Sequence, residues 1–386
     1  MDNQQSWPFY EEDEIAAVQE VLRSGRVNQW TGDRVTAFEE AAANTFQTRH
    51  ALAVSNGSVA LELALRALNI GPGDEVIVTS RSYVASATCV LVVGAIPIFA
   101  DINRQSQNIT VETIRPLITE KTKAIIPVHL AGWPCDMQAI MALAEDHNLL
   151  VVEDCAQAVG AAINGRSVGS FGHAATLSFC QDKIISTGGE GGMVFFQDGE
   201  CYERAWQYKD HGKSIEARKP GANLGFRWLH DTVGTNWRLT ELQAAIGILQ
   251  LKKLAGWLEK RRRNAAIWRD ALSATSCIDI PAPENHFEHA YYKFYAFVRP
   301  ERLQAGSTRD TLLTALQDGG IVAFSGSCPE IYREKVFSDF AVETRPVARE
   351  LGETSLMFEV HPTLDPDDLR DTAEKASAII AKVSAN

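Results

Sequence analysis

Seven short apolar runs, most of them separated by stretches of helical periodicity, constrain this chain more than any other feature. They are His50–Ser55, Glu75–Thr79, Ile96–Ala100, Lys123–Leu130, Leu149–Glu153, Ala174–Cys180 and Met193–Phe196. Between them, Val59–Leu68, Val84–Val93 and Ala139–His147 carry helical spacing. Strands alternating with helices predict an α/β domain with a largely parallel sheet. Such sheets bind ligands beyond the carboxyl ends of their strands. Ser58, Tyr83, His129, Asp154, Ser178 and Lys183 all fall just after strand ends. Each also has a plain structural account: Tyr83 as core, His129 as a satisfied buried histidine, Asp154 as a helix cap.

Two of these places carry chemistry. Leu177–Val194 reads LSFCQDKIISTGGEGGMV, a buried strand, a polar step with Lys183, then a glycine-rich turn. A lysine inside a desolvated pocket becomes a nucleophilic amine, the chemistry of Schiff-base lysines. The alternative is a solvated lysine beside an ordinary turn. Ser55-Asn56-Gly57-Ser58 joins a strand to a helix, whose first N–H groups are unpaired and attract anions. The alternative there is a simple N-cap by Asn56 or Ser58.

Helical spacing also marks Glu11–Ser24, closed by Gly25, and Val35–Phe46. Thr240–Leu254 is amphipathic, with Leu242, Ala245, Ile246 and Leu249 on one face. The basic run Lys260–Arg263 lies in a further helix. From about Ile278 the pattern changes: Tyr291–Val298 predicts a strand, and Thr308–Gly319 and Asp365–Val383 predict helices. With 386 residues there is room for two domains. The expected division is 1–254 as the large domain and 255–386 as a smaller α+β domain, with the N-terminal segment packed against the latter.

The formal net charge of −12 gives no general attraction for nucleic acid or anionic membrane, so neither is expected as a partner. The seven cysteines form no CxxC pair, which fits reduced thiols in the cytoplasm. The nine histidines show no metal-ligand spacing, so no metal is expected. The acidic N-terminus lacks the apolar stretch of a signal peptide, and no run of 18 apolar residues predicts a membrane span.

In order along the chain, SNGSVAL from Ser55, YVAS from Tyr83, PVHLAG from Pro127, VEDCAQA from Val152, the Leu177–Met193 stretch and GTNWRLTELQAAIGILQL from Gly234 resemble the DegT/DnrJ/EryC1/StrS family of pyridoxal-phosphate-dependent sugar aminotransferases. The resemblance covers nearly the whole chain from Gly25. It implies the aspartate-aminotransferase type I fold, with a mostly parallel seven-stranded sheet. It also implies pyridoxal 5'-phosphate carried covalently by Lys183, with Asp154 paired to the pyridine nitrogen and Gln157 touching the phenolic oxygen. Tyr83 stacks on the ring, and Gly57, Ser58 and Ser178 hold the phosphate. By the same resemblance Asn236 would reach a phosphate in the neighbouring subunit, so the expected unit is a homodimer with shared sites, and the expected location is the cytoplasm. His129 matches a family histidine near the site without a definite role. Arg227, His289 and His361 are candidate substrate contacts that are equally well explained as structural.

The chain departs from the family pattern twice. Its loop reads Thr-Gly-Gly-Glu where Thr-Gly-Glu is usual, and Cys180-Gln181-Asp182 is an uncommon lead into the lysine. The activity implied is transfer of an amino group from L-glutamate to a nucleotide-linked keto-deoxy sugar, 4-keto-6-deoxy in the preferred reading, yielding an amino sugar for glycan or antigen biosynthesis. The alternatives are a sugar dehydratase on the same scaffold, whose members carry histidine in place of the lysine, or a non-catalytic regulatory relative. A Rossmann oxidoreductase is disfavoured because no GxGxxG follows the first strand.

Overall fold

The structure is a computed structural model, and it describes residues 6–215, 226 and 228–385. Its strands are β1 His50–Val54, β2 Glu75–Thr79, β3 Ile96–Ala100, β4 Thr122–Ile126, β5 Leu150–Asp154, β6 Ala162–Ile163, β7 Arg166–Ser167, β8 Ala174–Ser178, β9 Gly192–Phe196, β10 Ile278–Asp279, β11 Phe287–Glu288, β12 Phe294–Val298 and β13 Ser355–Phe358. The helices are α1 Glu12–Ser24, α2 Arg34–Thr45, α3 Gly57–Ala67, α4 Ala85–Val92, α5 Val111–Ile114, α6 Met137–Asp146, α7 Gly199–Lys209, α8 Glu241–Ser273, α9 Arg309–Asp318, α10 Pro346–Thr354 and α11 Pro366–Ala381.

The seven-stranded sheet has the order β1-β9-β8-β5-β4-β2-β3. Only β9 runs against the others, antiparallel to both β1 and β8. All five residues of β8 and of β9 are buried, because helices or loops cover both faces of the sheet. One core lies between the sheet and α3, α4 and α7, with Leu63, Val78, Ile126 and Phe196 fully buried. A second lies on the opposite face, around Phe38, Phe179 and Phe195.

A separate core, drawn from residues between Ala265 and Ile380, surrounds the antiparallel sheet β10-β12-β13. Trp268 stacks on Phe358 there at 4.2 Å. Helix α8 links the two regions. It is one continuous helix where the sequence pattern suggests two, and it runs through residue 254 without a break. Ala255-Gly256 resembles a stop, but Gly256 faces solvent, where a helical glycine costs only about 1 kcal/mol. The apolar stripe continues past it through Trp257, Leu258, Ala265 and Trp268. The helix begins with a capping box, Thr240 paired reciprocally with Gln243.

The N-terminal segment lies along α8 and against the glycine-rich loop. Trp7 packs edge-on to Trp257 at 5.1 Å, and Gln250 donates to Glu14 at 2.9 Å. The small sheet β11-β6-β7 and strand β13 have no visible sequence signature; strands of two to four residues are too short to display a period.

Candidate active site

The carboxyl ends of β5 and β8, the start of α3 and the loop after β8 surround a cleft of about 1020 Å³. Gly57, Ser58, Tyr83, Asp154, Gln157, Ser178 and Lys183 all line it. The side chains that sequence reasoning scattered over more than a hundred positions therefore share one opening.

Asp154 is the last residue of β5, not the residue after it, and is 3% exposed. Ser86 Oγ donates to its Oδ2 at 2.7 Å, and the Ala156 N–H donates to Oδ1 at 3.1 Å. Ser82 sits 3.1 Å behind Ser86 and extends the chain of hydroxyls. Burial pushes the Asp154 carboxyl above the usual carboxylate range; the Ser86 and Ala156 hydrogen bonds and the nearby His129 and Lys183 oppose this only in part. A buried carboxylate with this upward push is completed by a cation opposite it.

The start of α3 forms the second wall. Asn56 caps the helix by accepting from the Val59 N–H at 3.0 Å, the capping reading of this turn. The N–H groups of Gly57 and Ser58 precede the first intrahelical bond and remain for an anion. A Cβ on Gly57 would lie 2.6 Å from Ser178 Cβ, so only glycine lets β8 and α3 close into this cradle. Gln157 accepts from the Ala131 N–H at 2.9 Å, which leaves its NH2 group as the donor toward the cleft. Tyr83 is 68% exposed, an aromatic face standing open in the cleft.

Lys183 lies on the loop beyond β8, its side chain 17% exposed. Its main chain is held from behind: Trp7 Nε1 donates to its carbonyl at 2.8 Å. Its Nζ lies 3.0 Å from Asp182 Oδ1 and 3.5 Å from the Tyr292 hydroxyl. The extra glycine of the loop is taken up by two consecutive left-handed residues, Gly188 at φ 81° and Gly189 at φ 107°. Gly189 O accepts from the Gln181 N–H, and Tyr10 OH accepts from the Gly188 N–H, so the insertion is pinned on both sides.

The remaining candidates lie elsewhere. His129 is fully buried beneath the cleft. Its Nδ1 accepts from the Cys135 N–H, so Nε2 carries the proton and donates to Glu153 at 3.1 Å. His129, Glu153 and Cys155 have ligand-type atoms within 4.8 Å of one another. Glu153 is already engaged by the N–H groups of Gly169, Phe171 and Gly172, and both histidine nitrogens are in use. This cluster is a structural network. His289 lines a separate cavity of about 20 Å³, and burial with Arg269 and Arg262 nearby pushes it down to about 3. His361 is buried, bonded to Thr363 and close to Glu359, outside the cleft. Asn236 is exposed and does not line the cleft of its own chain. Arg227 lies outside the described residues. Sequence reasoning missed Ser86, although YVAS contained it, and Tyr292, which reaches Lys183 from 109 positions away.

A strand-end carboxylate, a lysine beyond the next strand and a glycine cradle at a helix start are the donor set that pyridoxal phosphate requires, and they fit it. The fold and cleft are those of a fold type I pyridoxal-phosphate enzyme. Known proteins agree. The model of the DegT/DnrJ/EryC1/StrS aminotransferase family matches residues 8–377. The chain is 37% identical over 338 residues to a UDP-N-acetyl-3-dehydro-alpha-D-glucosamine 3-aminotransferase of Acidithiobacillus ferrooxidans, covering 88% of this chain and 86% of that one. It is 34% identical to a GDP-perosamine synthase of Escherichia coli, covering 88% of each. The crystal structure of an aminotransferase from Psychrobacter cryohalolentis superposes with a TM-score of 0.96 at 46% identity, covering 98% of this chain and 99% of that one. The chain belongs to the DegT/DnrJ/EryC1/StrS aminotransferase family, and it is a pyridoxal-phosphate-dependent aminotransferase. No helix among the described residues is long and apolar enough to cross a membrane.

Proposed function

We propose that this enzyme moves an amino group from L-glutamate to a nucleotide-linked keto-deoxy sugar, 4-keto-6-deoxy in our reading, producing an amino sugar for glycan or antigen biosynthesis. The observation that carries the proposal is the meeting of Lys183 and Asp154 in one cleft, with the α3 cradle between them. Relatives named for UDP- and GDP-linked sugars support a nucleotide sugar as acceptor.

Bound pyridoxal phosphate supplies an electron-accepting ring and a carbon that can carry the amino group. Asp154 would pair its desolvated negative charge with the ring nitrogen and favour its protonated form. The Gly57 and Ser58 N–H groups and the Ser178 hydroxyl would hold the phosphate. Gln157 would donate its NH2 to the phenolic oxygen, and Tyr83 would cover the ring face. Lys183 Nζ, once released from covalent attachment, would move a proton between the substrate carbon and the cofactor carbon that carries the amino group, in one direction in each half-reaction. Asn236, exposed and outside its own cleft, is assigned to a phosphate contact in a neighbouring subunit, so the working unit is a cytoplasmic homodimer with shared sites. Lysine at 183 favours this reading over dehydration.

The test is spectroscopic. L-glutamate should bleach the lysine-bound absorbance, and a nucleotide-linked 4-keto-6-deoxy sugar should restore it better than a 3-keto sugar, the class in the name of the Acidithiobacillus relative. Bleaching by an amino sugar but by no amino acid would overturn the transaminase reading, and better restoration by the 3-keto sugar would overturn the assigned keto position.

A further inference from the structure

Beside Lys183 stands a pair of side chains to which the reaction above gives no task. Asp182 and Tyr292 come from the loop after β8 and from the segment before β12. The Tyr292 hydroxyl donates to Asp182 Oδ2. Lys183 Nζ lies across the same carboxylate, 3.0 Å from Oδ1 and 3.2 Å from Oδ2, with the Tyr292 hydroxyl as a third neighbour. Its ammonium also sits 5.2 Å from the centre of the Tyr292 ring, within reach of a cation–π contact.

Each partner is held in its role. Burial, and then the Asp182 charge, push the Tyr292 phenol well above its ordinary value, so it stays protonated and donates. Burial alone would raise Asp182, but the Lys183 charge and the hydrogen bonds from Tyr292 and Lys183 outweigh it and hold the carboxyl below its usual range. The Tyr292 main chain is pinned through its N–H to the Ala131 carbonyl at 2.9 Å, and its own carbonyl accepts from the buried Arg261 at 3.3 Å. Trp7 clamps the Lys183 carbonyl. The backbone on both sides is anchored, so any relocation of the Lys183 ammonium has to come from its side chain.

We propose that Asp182 and the Tyr292 hydroxyl form the resting place of the Lys183 ammonium whenever that lysine is not covalently engaged, which makes Asp182 a further catalytic residue in contact with the reacting nitrogen. The inference rests on the assignment of Lys183 as the cofactor-bearing lysine. A lysine that must leave its covalent partner and return needs a defined second position within reach of the first. A carboxylate that gathers the ammonium after each proton capture keeps it from straying into solvent, and the phenol fixes the carboxylate's orientation.

The experiment uses the full-length holoenzyme with its cofactor in the pyridoxamine form, in which Lys183 is released. A brief pulse of acetic anhydride followed by peptide mass analysis gives the labelling of Lys183 relative to Lys293. Lys293 also lines the cleft but pairs with Glu359 at 3.2 Å, so it serves as an internal reference. Asp182→Asn should raise the Lys183 to Lys293 ratio about threefold, the scale of a partly exposed ion pair. Tyr292→Phe, which removes one hydroxyl and preserves the ring, should raise it by a smaller factor and guards against a folding defect in the first variant. Ratios in both variants equal to or below wild type would overturn the proposal. Borohydride reduction of the wild-type pyridoxal form is the separate control: pyridoxyl on another lysine would sink the functional reading itself, whatever the anhydride ratios.

Discussion

Asp154 and Asp182 face one cleft from two differently built regions. Asp154 ends a strand buried from Val151 onward and is 3% exposed, its oxygens held by a hydroxyl and an N–H. Asp182 stands on a loop with its side chain 48% exposed, beside an ammonium and a phenol. Burial drives the first carboxyl up, and a neighbouring cation carries the second down. Two identical side chains are thus prepared for different work. In the proposed function the strand-end carboxylate receives its cation with the cofactor, whereas the loop carboxylate already has one in Lys183. The sheet supplies an enclosed floor to the cleft, and the loop supplies a half-exposed ion pair.

The comparison is broken most severely at the floor. Asp154→Asn should still allow covalent attachment at Lys183 but slow each half-reaction about 10²- to 10³-fold, measured in single turnovers. A wild-type rate would make the buried charge irrelevant. Gly57→Ala tests the geometry of the same floor. The added Cβ meets Ser178 at 2.6 Å, and overpacking of this kind costs about 1–3 kcal/mol, so cofactor affinity in equilibrium titration should fall by about tenfold or more.

The opposite pKa displacements sharpen the contrast through stability. Asp154 is raised in the folded state, so between its ordinary and folded values the native chain holds a proton that the unfolded chain has released. Its contribution therefore becomes less favourable as pH rises through that window. Cofactor-free Asp154→Asn should resist denaturant better than wild type near pH 8, and the gap should close as pH falls toward 4, each unit of displacement counting about 1.4 kcal/mol. Asp182 has the opposite sign: its contribution is present at neutral pH and is lost as pH falls through its lowered folded value. A gap for Asp154→Asn that widens on acidification would contradict the burial argument.

The smallest effect is expected in the loop. A Cβ added at Gly189 would meet open space, but the residue has a φ of 107°. Gly189→Ala should therefore cost only backbone strain of about 1 kcal/mol, a thermal shift of a few degrees with Lys183 attachment preserved.

The floor is also the more legible region. The seven strands stand out as apolar runs because a sheet covered on both faces selects for them, and the residues at their ends follow from chain order. Ser86 escapes notice because a serine in a helix carries no periodic signal; only its position beneath Asp154 reveals it. The loop side depends on tertiary contact. Tyr292 lies 109 positions from Lys183, and nothing in the local pattern near either residue announces their meeting. Helix α8 reads as two in sequence because Ala255-Gly256 mimics a terminus, while the stripe that continues through Trp257 and Trp268 is stabilised by packing against both cores.

The most direct measurement of the central claim is the site of cofactor attachment. Borohydride reduction of the yellow enzyme, proteolysis and peptide mass analysis should place one pyridoxyl group on the peptide containing Lys183 and none on Lys293, which also lines the cleft. A pyridoxyl group on any other lysine, or none after saturation with pyridoxal phosphate, would contradict the account.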